Sequence, residues 1–286
     1  MIDVALQLAR EAGLRLMQGW GAPMPAERKG DASNVVTQAD RDAERIVVDG
    51  LRARFPEHSI VAEESGCALR GGPVTWVVDP LDGTSNYAAG LPWFGVLVAA
   101  LRDRVPVVAV MHLPAEGTTY AAEAGAGAWR NGTRLSVTAE ASPANVLWAF
   151  AMDTGRAGPV RRRAALYAEL VLRVRGLRGT QCVVDAARVA DGRLGGLVNL
   201  NSRLWDVAAP MLVVQESGGL YTAADGSPLR LDVSARAAAR EYAVLAAAPA
   251  LHAAVAPIAR RVLGSRPARA RRSAHVQRRP ELPAPA

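Results

Sequence analysis

The chain has 286 residues, 50% of them hydrophobic and 21% charged, with a formal net charge of +7. Such a composition can bury a substantial core and excludes global disorder. No apolar run reaches the roughly 20 residues that a membrane-spanning helix needs, and the length suits one large domain or two fused halves.

The opening Met1-Ile2-Asp3-Val4 carries an acid where a secretory leader needs positive charge, and Arg10 and Glu11 interrupt any leader core. Two cysteines, Cys67 and Cys182, cannot build a disulfide framework. A cytoplasmic location is the expectation. The spacing of Ile2, Leu6, Ala9, Leu16 and Met17 predicts an amphipathic helix over Ile2–Trp20. A loop through Pro23 and Pro25 runs on to Lys29-Gly30-Asp31. Thr37 and Asp40 then introduce a capped second helix, with Ala43, Ile46, Val47, Leu51 and Phe55 on its apolar side, ending before Pro56.

Short β-type runs follow at Ser59–Ala62, Val74–Val78, Gly95–Leu101, Val105–Met111 and Thr118–Ala122. Asn131-Gly132, between Ala128-Trp129 and Leu135–Val137, predicts a hairpin. From about residue 143 strands and helices alternate. Strands are expected at Val146–Met152, Gly196–Leu200, Gly219–Thr222 and Ala243–Ala247, and helices at Val160–Leu172, Gln181–Ala190, Trp205–Glu216 and Ala250–Leu263. The reading is an antiparallel α+β half over residues 1–142 joined to an α/β half over 143–263. A tail, 264–286, completes the chain. Residues 257–286 hold eight arginines (260, 261, 266, 269, 271, 272, 278 and 279) against Glu281, so this segment carries the entire net charge. Its prolines and lack of periodicity predict disorder. It has no aromatic residue to stack on bases, which leaves nucleic-acid binding as the lesser reading.

Several site motifs are absent. There is no G-x-x-x-x-G-K-[ST] loop and no H-E-x-x-H pair, Gly125-Ala126-Gly127 precedes a hairpin, and the four histidines have no ligand spacing. What remains are carboxylates beside turn chemistry. Asp79-Pro80-Leu81-Asp82-Gly83-Thr84 follows an apolar strand. Two acids on such a turn can aim at one spot, where only a cation lets both stay ionised, and hard oxygen ligands suit Mg²⁺. An ordinary solvated Asp-Pro turn is the alternative. Glu63-Glu64 reads equally as a solvated strand end, Asp206 as a helix cap and Asp40 as half of a capping box.

Taken together these segments resemble the inositol monophosphatase family of Mg²⁺-dependent phosphatases. The matching text is Asp31–Asp40, Ala62-Glu63-Glu64-Ser65, Trp76–Tyr87 with its D-P-L-D-G-T, Gly90-Leu91-Pro92, Gly125–Gly132, Arg178-Gly179-Thr180, Trp205-Asp206-Val207-Ala208-Ala209 and Glu216–Gly219. The resemblance implies a layered α-β-α-β-α sandwich of the sugar-phosphatase type, usually a homodimer, binding a small phosphorylated substrate and no membrane. By motif position, Glu63, Asp79 and the Leu81 carbonyl would hold a first Mg²⁺, and Asp79, Asp82 and Asp206 a second, with room for a third. Thr84, bonded to Asp40, would orient the attacking water, so that Thr84, Asp40, Glu63 and Asp79 form the catalytic set. The amides of Gly83 and Thr84 would receive the phosphate. Lys29, the one lysine among 34 basic residues, lies where the family places an ammonium beside the metals. Thr180, Gln181, Asn199 and Asp206 would meet the alcohol.

The implied reaction is hydrolysis of inositol monophosphate by in-line attack of a metal-activated water. Three departures bear on it. Asn199 stands where inositol-phosphate-selective members carry an acid, Gln181 replaces a small residue, and Pro210 falls in what reads as a first helical turn. Another sugar phosphate, histidinol phosphate or a nucleoside bisphosphate are the alternative substrates. An RNA-associated transcription relative, or a metal-binding inactive one, are the alternatives of another class.

Overall fold

The computed structural model describes residues 1–21, 27–28, 35–36, 38–152 and 157–264. Lys29, Thr37 and the arginine-rich tail after Gly264 lie outside the described residues.

Helices α1 (Ile2–Gly19) and α2 (Gln38–Arg54) lie side by side as an outer layer. Each turns one stripe inward: Ala5, Leu8, Ala9, Ala12 and Leu16 from α1, and Ala39, Ala43, Val47, Val48 and Leu51 from α2. Between them in sequence is a two-stranded antiparallel ribbon, β1 (Glu27–Arg28) with β2 (Val35–Val36).

The next layer is an eight-stranded sheet built from β3 (Ser59–Ala62), β4 (Gly66–Ala68), β5 (Val74–Asp82), β6 (Gly95–Arg102), β7 (Val105–Leu113), β8 (Thr118–Glu123), β9 (Gly127–Arg130) and β10 (Thr133–Arg134). Its order is β10-β9-β8-β7-β6-β5-β3-β4, antiparallel except for the β3–β5 pair. A five-residue helix, α3 (Thr84–Ala88), links β5 to β6. The second sheet has the order β12-β11-β13-β15-β14. Its strands are β11 (Leu147–Ala151), β12 (Gly176–Arg178), β13 (Gly196–Ser202), β14 (Leu220–Ala223) and β15 (Tyr242–Ala247), with β12, β11 and β13 mutually parallel. Four helices complete the chain: α4 (Ala157–Val171), α5 (Val183–Ala190), α6 (Leu204–Glu216) and α7 (Pro249–Gly264).

Side-chain alternation assigns the layers. Ile60, Trp76, Val78, Val96, Val98 and Val110 pack with α1 and α2, while Val61, Val77, Leu97, Ala99, Ala109 and Met111 pack with α5 and α6. The far side of α5 and α6 meets Ala149, Leu197, Val244 and Ala246 of the second sheet. The other face of that sheet, with Trp148, Phe150, Val198 and Leu245, packs on Leu166 and Leu170 of α4 and Leu251 and Val255 of α7. The five layers are therefore α-β-α-β-α. Both sheets are covered on both faces, which is why β6 reads as a nearly unbroken apolar run.

The structure departs from the sequence reading at four places. The hairpin turn at Asn131-Gly132 forms with positive φ at both residues, but its second strand is Thr133–Arg134 and not Leu135–Val137; Val137 instead donates its N–H to Ser217. Helix α5 begins at Val183, because Gln181 is left-handed, with φ of 60°, and Cys182 is extended. β5 continues through Pro80 to Asp82. Pro210 sits in the interior of α6 and not in its first turn. There it has no N–H for the carbonyl four residues back, that of Asp206, a defect costing about 3 kcal/mol in an ordinary helix.

His112, on β7, is buried beneath α1; a Cβ on Gly13 would lie 2.4 Å from its ring. It bonds Thr119 Oγ1 through Nδ1 at 2.9 Å. Burial, reinforced by the charge of Arg10, pushes its pKa down from 6.5 to about 4. The folded state thus resists a proton that the unfolded chain accepts, so stability falls as pH drops from 6.5 towards 4, by at most about 3 kcal/mol. In His112→Asn, urea titrations at pH 7.5 and 4.5 should show a smaller loss across that interval than the unsubstituted protein shows.

Candidate active site

In a regular strand, residues three apart face opposite sides of the sheet. β5 breaks that rule where the acids lie. Its register against β6 shifts between Asp79 and Asp82, with Pro80 inside the irregularity, a place where a missing N–H is tolerated. The bulge lets both carboxylates turn the same way. Asp79 Oδ1 accepts the Leu81 N–H at 3.0 Å, which tightens the bend. Gly83 follows with φ of 93°, and a Cβ there would lie 2.6 Å from the Trp93 carbonyl and 3.1 Å from Cys182 Cβ. Only glycine closes the chain against that backbone.

The third acid comes from the middle helical layer. Asp206 is at the N3 position of α6, and its Oδ2 accepts the Arg203 N–H at 2.6 Å. It is therefore a helix cap and a site residue at once. One carboxylate oxygen from each of Asp79, Asp82 and Asp206 lies within 4.8 Å of the others. Asp82 Oδ2 also accepts the N–H of Val183, the first residue of α5. Glu63, at the end of β3, is outside this tight trio but near enough for its charge to act on Asp79 and Asp82.

Burial first, then Glu63, Asp82 and Asp206, push the Asp79 carboxyl well above its ordinary range. Asp82 is raised by burial and then by Asp206. Tyr221, buried beside them, is held as a neutral phenol by desolvation and the same two charges. Such a group stays ionised only around a cation. Three carboxylates form a hard, all-oxygen donor set, which fits a divalent metal of the Mg²⁺ type.

Around this centre the loops are tied down by buried polar groups. Thr84 Oγ1 lies 2.9 Å from both Asp40 Oδ1 and the Leu81 carbonyl. Asp40 is fully buried in the first turn of α2. One turn further along that helix, Glu44 accepts the N–H groups of Glu64 and Ser65, each at 2.8 Å. Asn86 donates to the carbonyls of Trp93 and Thr180 at 2.8 and 2.7 Å, and Asp185 accepts the Thr180 N–H and hydroxyl at 3.1 and 3.0 Å. The Thr180 hydroxyl is thus turned onto Asp185. Gln181, left-handed, follows it. Asn199, half-buried on β13, accepts the Asn201 N–H at 3.2 Å. Burial raises the thiols of Cys182 and Cys67, which keeps both protonated and inert.

Sequence reasoning missed Glu44, Asn86 and Asp185. Glu44 had a readable signal, since it stands four residues after Asp40 on one helix. Asn86 reaches across the fold to Thr180, and Asp185 bonds Thr180 five residues back through a loop with no readable pattern, so neither had one.

Over residues 1–263 the chain matches the inositol monophosphatase family. It is 34% identical over 221 residues to the fructose-1,6-bisphosphatase/inositol-1-monophosphatase of Thermotoga maritima, spanning 77% of this chain and 84% of that one. It is likewise 34% identical over 230 residues to the Nus factor SuhB of Escherichia coli, spanning 78% and 84%. Among solved structures, a Thermotoga maritima IMPase superposes with a TM-score of 0.81 at 30% identity, over 92% of this chain and 97% of that one. Mycobacterium tuberculosis SuhB gives 0.74 at 28% identity, over 92% and 96%.

Alanine at Gly83 meets the Trp93 carbonyl in a backbone conformation that a side chain resists. Gly83→Ala should lose about 1–3 kcal/mol of stability, read as a lower thermal midpoint. An unchanged midpoint would show that this turn is not confined as described.

Proposed function

As a member of the inositol monophosphatase family, this chain is a phosphatase, and we propose that it hydrolyses a small phosphorylated alcohol, inositol monophosphate first, in a Mg²⁺-dependent reaction. The observation that carries the reading is the convergence of Asp79, Asp82 and Asp206, from a bulged strand and a helix start, onto one point. We assign Asp79, Glu63 and the Leu81 carbonyl to one Mg²⁺ and Asp79, Asp82 and Asp206 to a second. When bound, Mg²⁺ supplies the positive charge that neutralises a phosphate dianion and makes a nearby water more acidic.

The chain's own residues do the remaining work. The Thr84 hydroxyl donates to Asp40 Oδ1, leaving its oxygen lone pairs to accept a hydrogen bond from the attacking water. As the water's proton passes to Thr84 Oγ1, the threonine's own proton passes to the buried Asp40 carboxylate. The amides of Gly83 and Thr84 face the phosphate at the start of α3, held there by the left-handed glycine. Gln181 and Asn199 stand on the alcohol side. An amide at 199 bonds a hydroxyl without adding charge, which favours a neutral polyol over a cationic alcohol. In-line displacement on a phosphate monoester needs alignment above all, and a site tied by Glu44, Asn86 and Asp185 provides it. A homodimer is part of the proposal. Among the described residues no helix is long and apolar enough to cross a membrane.

The direct test is phosphate release from a panel of sugar, inositol, histidinol and nucleoside phosphates, with and without Mg²⁺. Inositol monophosphate should be turned over only with the metal present. Asp82→Asn should lower turnover on the order of a thousandfold, about 4 kcal/mol of barrier, and near-normal turnover would overturn the assignment.

The relatives named Nus factor SuhB favour a second reading, a transcription-associated role using the arginine-rich tail. It requires RNA binding that weakens steeply with salt and disappears when residues 265–286 are deleted. Binding that survives the deletion removes it.

A further inference from the structure

Two buried carboxylates one helical turn apart, Asp40 and Glu44, stand on the same face of α2. Asp40 meets the Thr84 hydroxyl, on the loop after β5. Glu44, 4% exposed, receives two backbone N–H groups from the turn after β3, those of Glu64 on Oε2 and Ser65 on Oε1. The same turn is fixed on its other side by the Glu63 N–H, which donates to the Val78 carbonyl of β5 at 3.2 Å. A rigid helix, seated on the large sheet through Val47 and Leu51, therefore spans two loops that carry different parts of the site.

We propose that Glu44 is a positioning residue that sets the Glu63 turn for divalent-cation binding; this rests on the metal-site reading above. Both its oxygens are occupied by amides of residues 64 and 65, so its part is to hold the turn, one residue beyond Glu63, at a fixed distance from α2. Charge-assisted bonds to backbone N–H groups are short and directional. A glutamine at 44 presents one acceptor and one NH₂ to two N–H donors, so one amide faces a donor and the turn must shift. An aspartate keeps the charge but falls one methylene short of bridging both amides.

The test uses full-length protein and Mg²⁺ alone, titrated calorimetrically without substrate, beside the Mg²⁺ activation curve for phosphate release. Glu44→Gln and Glu44→Asp should both bind Mg²⁺ roughly 10- to 100-fold more weakly, the range seen when groups that orient metal ligands are removed. At saturating Mg²⁺ the KM for substrate should return to that of the unsubstituted protein. Wild-type Mg²⁺ affinity in folded Glu44→Asp overturns the proposal, and so does a lowered thermal midpoint with unaltered affinity, since a merely structural residue would behave that way. Weakening in Glu44→Gln alone would assign the effect to charge and also overturn it.

If both variants fail to fold, hydrogen exchange in the unsubstituted protein decides. The amides of Glu64 and Ser65 should be strongly protected, and exchange at the rate of open loop amides refutes the contact. Absence of any Mg²⁺ binding by the unsubstituted protein would sink the metal-site reading together with this one. Binding there, with unaltered variants, sinks only the role of Glu44.

Discussion

Mutual repulsion among Asp79, Asp82 and Asp206 is the constraint around which the rest of the structure is arranged. Three carboxylates brought within 4.8 Å in a largely dry setting oppose folding unless something compensates. Part of the compensation is built into the chain. Backbone N–H groups of Leu81, Val183 and Arg203 each donate to one of the three. The remainder calls for a cation, and in that sense the fold creates a demand that a divalent metal meets.

The five-layer architecture follows from where those N–H groups must come from. α5 and α6 both begin beside the bulged end of β5, and each brings its first-turn amides and its dipole to the same place. Sandwiching these helices between two sheets fixes their starts with the rigidity of a packed core. The second sheet contributes Thr180 and Gln181 on the loop after β12 and Asn199 on β13 itself.

Most elements were legible because their periodicity is strong. Ser59–Ala62 was located to the residue, whereas the faces of β5 and β6 could not be read from their nearly unbroken apolar runs. Short elements were not. β4, β12 and α3 are three to five residues long and lack a distinctive apolar run; β4 and β12 exist because β3 and β11 supply their hydrogen bonds. The second hairpin strand was misplaced by two residues because the Asn131-Gly132 turn sets register locally, whereas its length depends on what Leu135 and Val137 find to pack or bond against. Left-handed Gln181 carried no glycine-like signal, since its conformation is forced by the loop that Asp185 and Asn86 hold.

From residue types and their spacing came the kinds of group at the site and an α+β half joined to an α/β half, because turn chemistry, capping and hydrophobic period are local properties; the layered plan came only through the family that those motifs resemble. The tertiary structure decided what local properties cannot. It turned Asp79 and Asp82 to one side through a bulge that the three-residue spacing by itself argues against. It placed Asp206 as a helix cap and as a member of the acidic trio together, and it gave Glu44 partners 20 and 21 residues away. The acidic trio and the Glu44 bonds depend on distances between segments that meet only once the elements are packed.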